Sequence, residues 1–256
     1  MILFFSATGN SEHVARSVAS ATGDAMMSIE RFDAAAFAKG MSEGPGQLGL
    51  VCPVYAWGLP TPVIGFLRAT RLLDGLTADG EKPYTFVIVT YGSTTGQAAR
   101  FAGDLLREQG VGLDAAMSVK MPDTWTPIFD LSDAKKVAEI NKAAETEISA
   151  AVDAVIGRKR GDATRHKVPL PAAWAYHELG LPVMERTRNF RVDAECCVGC
   201  GLCAKLCPMK AIQMRGGLPA WSKPRCAACL RCLHRCPKFA ISYGKRTAGH
   251  GQYVHP

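Results

Sequence analysis

The chain has 256 residues, 48% hydrophobic and 21% charged, which is ordinary for a folded protein of one large domain or two smaller ones, with no need of disulfide staples. Residues 1–157 carry 12 Lys+Arg against 18 Asp+Glu, whereas residues 158–256 carry 18 against 5, so a net of −6 meets a net of +13. No apolar run approaches the roughly 18 residues of a membrane span, and the opening MILFF lacks the basic flank of a signal peptide, so a cytoplasmic protein is expected.

Ile2–Phe5 reads as a buried strand, SATGNS at 6–11 as a loop, and Glu12 to about Thr22 as a helix. A strand, a loop of small hydroxyl residues with a glycine, and a helix N-terminus make a phosphate cradle of backbone N–H groups. Ser6, Thr8 and Ser11 add hydroxyls to it. The loop lacks the Gly-Lys-Ser/Thr ending of a Walker loop and is not the G-x-G-x-x-G of a dinucleotide fold. His13 reads as an exposed helix residue.

A second strand is expected near 25–32. QLGLVC at 47–52 is a near-continuous apolar run suited to a buried parallel strand, and Cys52 is one of its core residues. PVYAWGLPTP follows it as a loop punctuated by Pro and Gly, then a helix at about 62–72. YTFVIVT at 84–90 is another buried strand, followed by YGSTTG at 91–96 and a helix at about 97–109. A fifth strand near 112–119 leads into MPDTW and a long helix at 132–156. Strand and helix alternate throughout, which predicts a doubly wound, five-stranded parallel sheet. Ligands of such sheets sit beyond the carboxyl ends of the strands, where all three loops fall. Tyr55, Trp57 and Tyr91 there suit a phosphate carried on a flat ring system. Asp123 is the one acid within reach.

SATGNS matches the Ser/Thr-x-Thr-Gly-Asn-Thr/Ser phosphate loop of flavodoxins, and this half resembles that family. The resemblance implies that Ser6, Ala7, Thr8, Gly9, Asn10 and Ser11 hold the ribityl phosphate of FMN. It also implies that Pro53, Val54, Tyr55, Ala56, Trp57 and Gly58 flank the ring, with Tyr55 or Trp57 stacked on it. Tyr91, Gly92 and Gly96 stand opposite. YGSTTG departs from the family in lacking the acidic residues common in that loop.

Residues 158–190 form a basic, then apolar, connecting segment, expected to pack as a short helix between domains at 1–157 and 191–256. Nine of the ten cysteines follow. Cys197, Cys200, Cys203 and Cys207-Pro208 spell C-x2-C-x2-C-x3-C-P. Shifted by 29 residues, the pattern recurs as Cys226, Cys229, Cys232 and Cys236-Pro237, with Ala211-Ile212 echoed by Ala240-Ile241. Each copy is a cysteine loop, a short helix and a strand. Three thiolates at successive x2 gaps wrap three corners of an iron–sulfur cube. The fourth, expected at the start of a helix pointing away, ligates the other cluster. This assigns Cys197, Cys200, Cys203 and Cys236 to one [4Fe–4S] cluster and Cys226, Cys229, Cys232 and Cys207 to a second. Zinc sites pair two knuckles across a long spacer and fit this pattern poorly. Cys196 is left over as a partly buried thiol.

This part resembles the bacterial two-cluster ferredoxin domain over roughly residues 190–243. The whole order is similar to the flavodoxin–ferredoxin fusions called ferrodoxins. Clusters that pass single electrons beside an FMN that holds one or two lead to the expectation of a relay of electrons between two [4Fe–4S] clusters and FMN, and, with no G-x-G-x-x-G motif evident, of exchange with another redox protein. Two low-potential clusters suggest an anaerobe. The basic half argues for an acidic partner rather than nucleic acid, because each oxidised cluster with its thiolates contributes about −2. Two other readings stand beside the relay: a flavin-dependent reductase of a small molecule, and a ferredoxin on a flavin-free docking domain.

Overall fold

A computed structural model describes residues 1–72 and 82–256. The first half alternates β1 (Ile2–Phe4), α1 (Asn10–Thr22), β2 (Met26–Ser28), α2 (Ala34–Glu43), β3 (Gln47–Pro53), α3 (Thr61–Ala69), β4 (Tyr84–Tyr91), α4 (Ala98–Glu108), β5 (Ala115–Lys120) and α5 (Ala134–Ile156). The strands pair in parallel in the order β2-β1-β3-β4-β5, the flavodoxin-like doubly wound order.

The sheet has six strands rather than the expected five. β6 (Gly161–Asp162) adds to the far edge, pairing Gly161 with Ala115 and Asp162 with Ala116. Two exposed residues, one a glycine, carry no apolar alternation, so periodicity has nothing to detect there. α2 is a further element beyond those expected, capped by Asp33, which accepts from the Ala36 N–H at 2.8 Å.

β4 is buried along its whole length and β3 along all but its last residue, because helices cover both faces. Leu48, Leu50, Cys52, Val87 and Val89 face one core with Phe37, Met41, Val63, Leu67 and Ala102. Val51, Phe86 and Ile88 face the other with Val14, Val18, Ile148 and Val155. Burial in the first of these cores pushes the Cys52 thiol up to about 12, so it is an inert core group.

After β6 come α6 (Leu170–Met184), β7 (Phe190–Val192), α7 (Leu202–Lys205), β8 (Ile212–Arg215), β9 (Leu218–Trp221), α8 (Arg231–His234) and β10 (Ile241–Tyr243). β7 pairs with β10 and β8 with β9, both antiparallel. The sequence duplication is a backbone duplication as well. Gly199, Gly201 and Lys210 take positive φ of 67°, 71° and 47°, and their equivalents Ala228, Leu230 and Phe239 take 52°, 50° and 48°. The loop geometry therefore demands left-handed residues even where no glycine supplies them, at a cost of about 1–2 kcal/mol each. Cys207 and Cys236 follow α7 and α8 rather than starting a helix, because each one-turn helix is spent on the third cysteine. Phe190, stacked on Trp221 at 4.5 Å and edge-on to Tyr243, closes the small core beneath both loops.

α6 is clamped to both halves. His177 Nε2–H donates to the Leu59 carbonyl at 2.9 Å, Thr61 donates to Glu185, and the Met184 carbonyl accepts from the Tyr243 hydroxyl at 2.8 Å. Among the described residues no helix is long and apolar enough to cross a membrane.

Candidate functional site

The carboxyl ends of β1, β3, β4 and β5 open onto a cavity of about 230 Å³. Its wall includes Ser6, Ala7, Thr8, Asn10 and Ser11 from the first loop, Pro53–Trp57 from the second, and Tyr91–Thr94 from the third. Gly9, Gly58 and Gly96 are not on the wall; each instead permits a close approach behind it. Gly9 (φ 104°) lies where a Cβ would stand 2.8 Å from the Cβ of His255. A Cβ on Gly58 would overlap the His177 ring, and one on Gly96 (φ 57°) would overlap the Trp57 carbonyl. Gly96→Ala is therefore expected to lose about 1–3 kcal/mol from the left-handed backbone alone, with the clash added, and to displace the Trp57 turn. Its thermal midpoint and ligand affinity should both fall.

Residues 55–58 form that turn. Tyr55 and Gly58 exchange backbone hydrogen bonds of 3.0 and 2.9 Å, and both central residues, Ala56 and Trp57, have positive φ (46° and 63°). This is the signature of a type I′ hairpin, here without the glycine that usually relieves it. It points Trp57 at Tyr176 of α6, 4.5 Å between ring centroids, a partner absent from the sequence reading.

The hydroxyls of the first loop are partly committed already. Ser6 Oγ accepts from the Gly9 N–H at 3.1 Å, and Ser11 Oγ lies 2.7 Å from Thr90 Oγ1. Asn10 Nδ2 donates to the Pro122 carbonyl at 3.2 Å, while its Oδ1 accepts from the Tyr253 hydroxyl at 2.8 Å. These side chains lash the loops together and leave backbone N–H groups at the start of α1, where Gly9 offers no side-chain cap, for an anion. Thr94 Oγ1 is buried on the cavity wall without a hydrogen-bond partner, and a polar group of a bound ligand would satisfy it. Aromatic walls, an uncapped helix N-terminus and an orphaned hydroxyl fit a phosphorylated ring ligand.

Asp123 also lines the cavity, packed against Gly92, where a Cβ would overlap it. Burial raises its carboxyl to about 6 against the lowering effect of the Trp125 N–H. His13 is not a free surface residue: it bonds Glu145 at 2.8 Å and stacks on His255 at 4.2 Å. Nothing in the sequence pattern placed the C-terminal tail there. The His255 N–H donates to the Thr8 carbonyl at 2.7 Å, so the tail braces the back of the first loop.

The cysteines gather into two groups. Cys197, Cys200, Cys203 and Cys236 line one small cavity, walled by Leu202, Met214, Pro219 and Ile241. Cys226, Cys229, Cys232 and Cys207 form the second. Burial pushes the Cys226 thiol up to about 12, with Cys229 and Cys207 adding to it. Cys229 is raised to about 11, first by burial, and burial also holds Cys232 well above the usual thiol range. Thiolates packed this closely ionise only opposite bound cations, so the donor set suits a metal cluster. The last cysteine of each copy accepts an N–H four residues on, Ala211 to Cys207 at 3.3 Å and Ala240 to Cys236 at 3.4 Å. Cys196 is exposed rather than partly buried, because Asp193 Oδ1 caps its N–H at 3.1 Å and turns this corner outward. Cys229 is the one cysteine on the wall of the large cavity, next to Ala228.

Residues 189–237 match the 4Fe-4S dicluster domain. An uncharacterized ferredoxin of Methanocaldococcus jannaschii is 41% identical over 46 residues, 18% of this chain and 30% of that one. The match thus spans under a third of that relative. A flavodoxin from the domain Archaea superposes over 59% of this chain and 96% of its own, at 14% identity and a TM-score of 0.38. A flavone reductase superposes over 91% of this chain and 83% of its own, at 12% identity and a TM-score of 0.37. The chain joins a flavodoxin-like parallel sheet to a 4Fe-4S dicluster domain.

Proposed function

We propose that the chain is an electron-transfer iron–sulfur flavoprotein that relays electrons between two [4Fe–4S] clusters and FMN, and exchanges them with a separate redox protein. Cys197, Cys200, Cys203 and Cys236 hold one cluster and Cys226, Cys229, Cys232 and Cys207 the other. The loops at 6–11, 53–57 and 91–94 hold the flavin. FMN supplies exchange of either one or two electrons, which matches single-electron carriers to two-electron partners. The observation that carries the reading is Cys229, which belongs to the second cysteine group and also walls the flavin cavity.

Burial orders the path. The first group reaches solvent at Cys200 and beside Val198, which is 60% exposed. The second group is the less exposed of the two: Cys226 is buried, no member is in the open, and Cys229 reaches the cavity wall. Lys205, Lys210, Arg215 and Lys238 are exposed on the dicluster half, and such a basic face would steer an acidic redox protein toward it. Inside the cavity Tyr55, Trp57 and Tyr91 exclude water, and the loop backbone binds the phosphate.

The test is the composition of anaerobically purified protein. About eight irons, eight sulfides and one FMN per chain are expected. Eight irons with no flavin, even after soaking in FMN, would reduce the protein to a ferredoxin on a docking domain.

Asp123 favours a second reading, reduction of a small molecule at the flavin. A carboxyl raised to about 6 on the cavity wall is mostly ionised at pH 7 but exchanges its proton readily there, the poise of a general acid–base group. A turnover that Asp123→Asn abolishes while leaving FMN bound would support this reading over the relay alone.

A further inference from the structure

Arg231 lies between two cysteines of the second group, Cys229 and Cys232, and is only 8% exposed. A buried guanidinium in a metal loop calls for a reason, because removing that charge from water is costly unless it is fully paired. Its contacts run to both halves. Nη1 and Nη2 each donate to Glu30 at 2.7 Å, a bidentate pair. Nη2 also donates to the Ser6 carbonyl at 2.7 Å, at the first residue of the phosphate loop. Nη1 donates to the Leu206 carbonyl at 2.9 Å, one residue before Cys207. The guanidinium also stands 5.7 Å from the centre of the Phe5 ring. One side chain thus ties together the second cysteine loop, the crossing cysteine's neighbour and the flavin loop.

Building on the relay reading, we propose that Arg231 is a positioning residue that couples the second cluster to the flavin site. It holds the phosphate loop in place for FMN, and with Glu30 it balances the charge that sets the potential of that one cluster. Electrons added to the cluster make it more negative, so the nearby cation favours reduction and the Glu30 carboxylate opposes it.

The two variants of the pair should therefore act in opposite directions. Arg231→Gln removes the buried cation and leaves the Glu30 carboxylate without its partner, so the potential of one cluster falls while the other stays. Glu30→Gln leaves an unpaired cation, so the same cluster's potential rises. FMN affinity should fall roughly tenfold or more in Arg231→Gln, the effect of losing one charged hydrogen bond. Arg231→Lys keeps the charge but cannot span both carbonyls, so it should weaken FMN with little change in potential.

The measurements are FMN fluorescence titration and a redox titration followed by electron paramagnetic resonance, on full-length protein of verified iron content. If Arg231→Gln fails to load iron, the Glu30→Gln and Arg231→Lys pair decides. A purely structural role would move both potentials together, or the same way in both variants, and that result would overturn the coupling. So would FMN affinity within twofold of wild type in Arg231→Gln and Arg231→Lys alike. Wild-type protein that holds eight irons and takes no FMN would instead overturn the relay reading itself, leaving the opposed potential shifts to judge the charge balance.

Discussion

Cys236→Ala should remove the same four irons as Cys197→Ala, although the two residues stand in different copies of the repeat. Cys207→Ala should remove the set lost in Cys226→Ala. The structure puts Cys236 in the cavity of Cys197, Cys200 and Cys203, and Cys207 among the neighbours that raise Cys226, Cys229 and Cys232. A cube that loses one of four thiolates either falls apart or drops to a three-iron form, and both outcomes are read by iron content and by the paramagnetic spectrum. Each variant should keep the spectrum of its untouched cluster. The groups also differ in exposure, so chelators and oxygen should strip the cluster near exposed Cys200 first and leave the one at Cys226 and Cys232 until later. If Cys236→Ala instead loses the cluster of Cys226, ligation is sequential within each copy and the crossing assignment is wrong.

Asp123→Asn should stabilise the protein at neutral pH. The folded carboxyl is raised from 3.8 to about 6. Between those values the folded state keeps a proton that the unfolded chain has lost, so stability falls as pH rises from about 4 to 6. Above pH 6 the full cost is present. Two units correspond to at most about 3 kcal/mol, less whatever water in the cavity screens. Asn is never charged and still accepts the Trp125 N–H that Asp123 Oδ1 takes at 3.1 Å. The variant should therefore melt a few degrees above wild type at pH 7.5, at roughly 2–4 °C per kcal/mol, and the two should converge below pH 4. A gap that does not change with pH would mean that burial of the charge is not the cause. Calorimetry of cluster-loaded protein at three pH values measures it.

His234 sharpens the same corner of the site. Burial lowers it to about 4, so it stays neutral, with Nε2–H donating to the Thr124 carbonyl at 2.9 Å and Nδ1 accepting from the Tyr253 N–H at 3.2 Å. One uncharged imidazole thereby joins α8, the loop that carries Asp123, and the C-terminal tail. Arg235 Nε adds a bond to the Ala7 carbonyl at 3.3 Å. The dicluster half is seated on the sheet's ligand edge by its own cysteine-loop side chains as well as by α6.

The sequence by itself determined what depends on near neighbours. Cysteine spacing within a dozen residues encodes a cluster loop because three thiolates must converge on one cube. Apolar runs such as YTFVIVT encode buried parallel strands because both faces are covered by helices. The sixth strand was illegible because a two-residue edge pairing needs only backbone. Tertiary structure alone decided the rest. Glu30 and Arg231 are 201 residues apart, and other pairs come from still nearer the two ends of the chain, such as Asn10 with Tyr253 and Thr8 with His255. No local pattern announces such pairs, since each residue reads as an ordinary surface or turn residue until folding removes its water. Burial then leaves every charge and N–H in need of a specific partner, and the partner the chain supplies puts a cysteine loop against the cavity at the sheet's carboxyl edge.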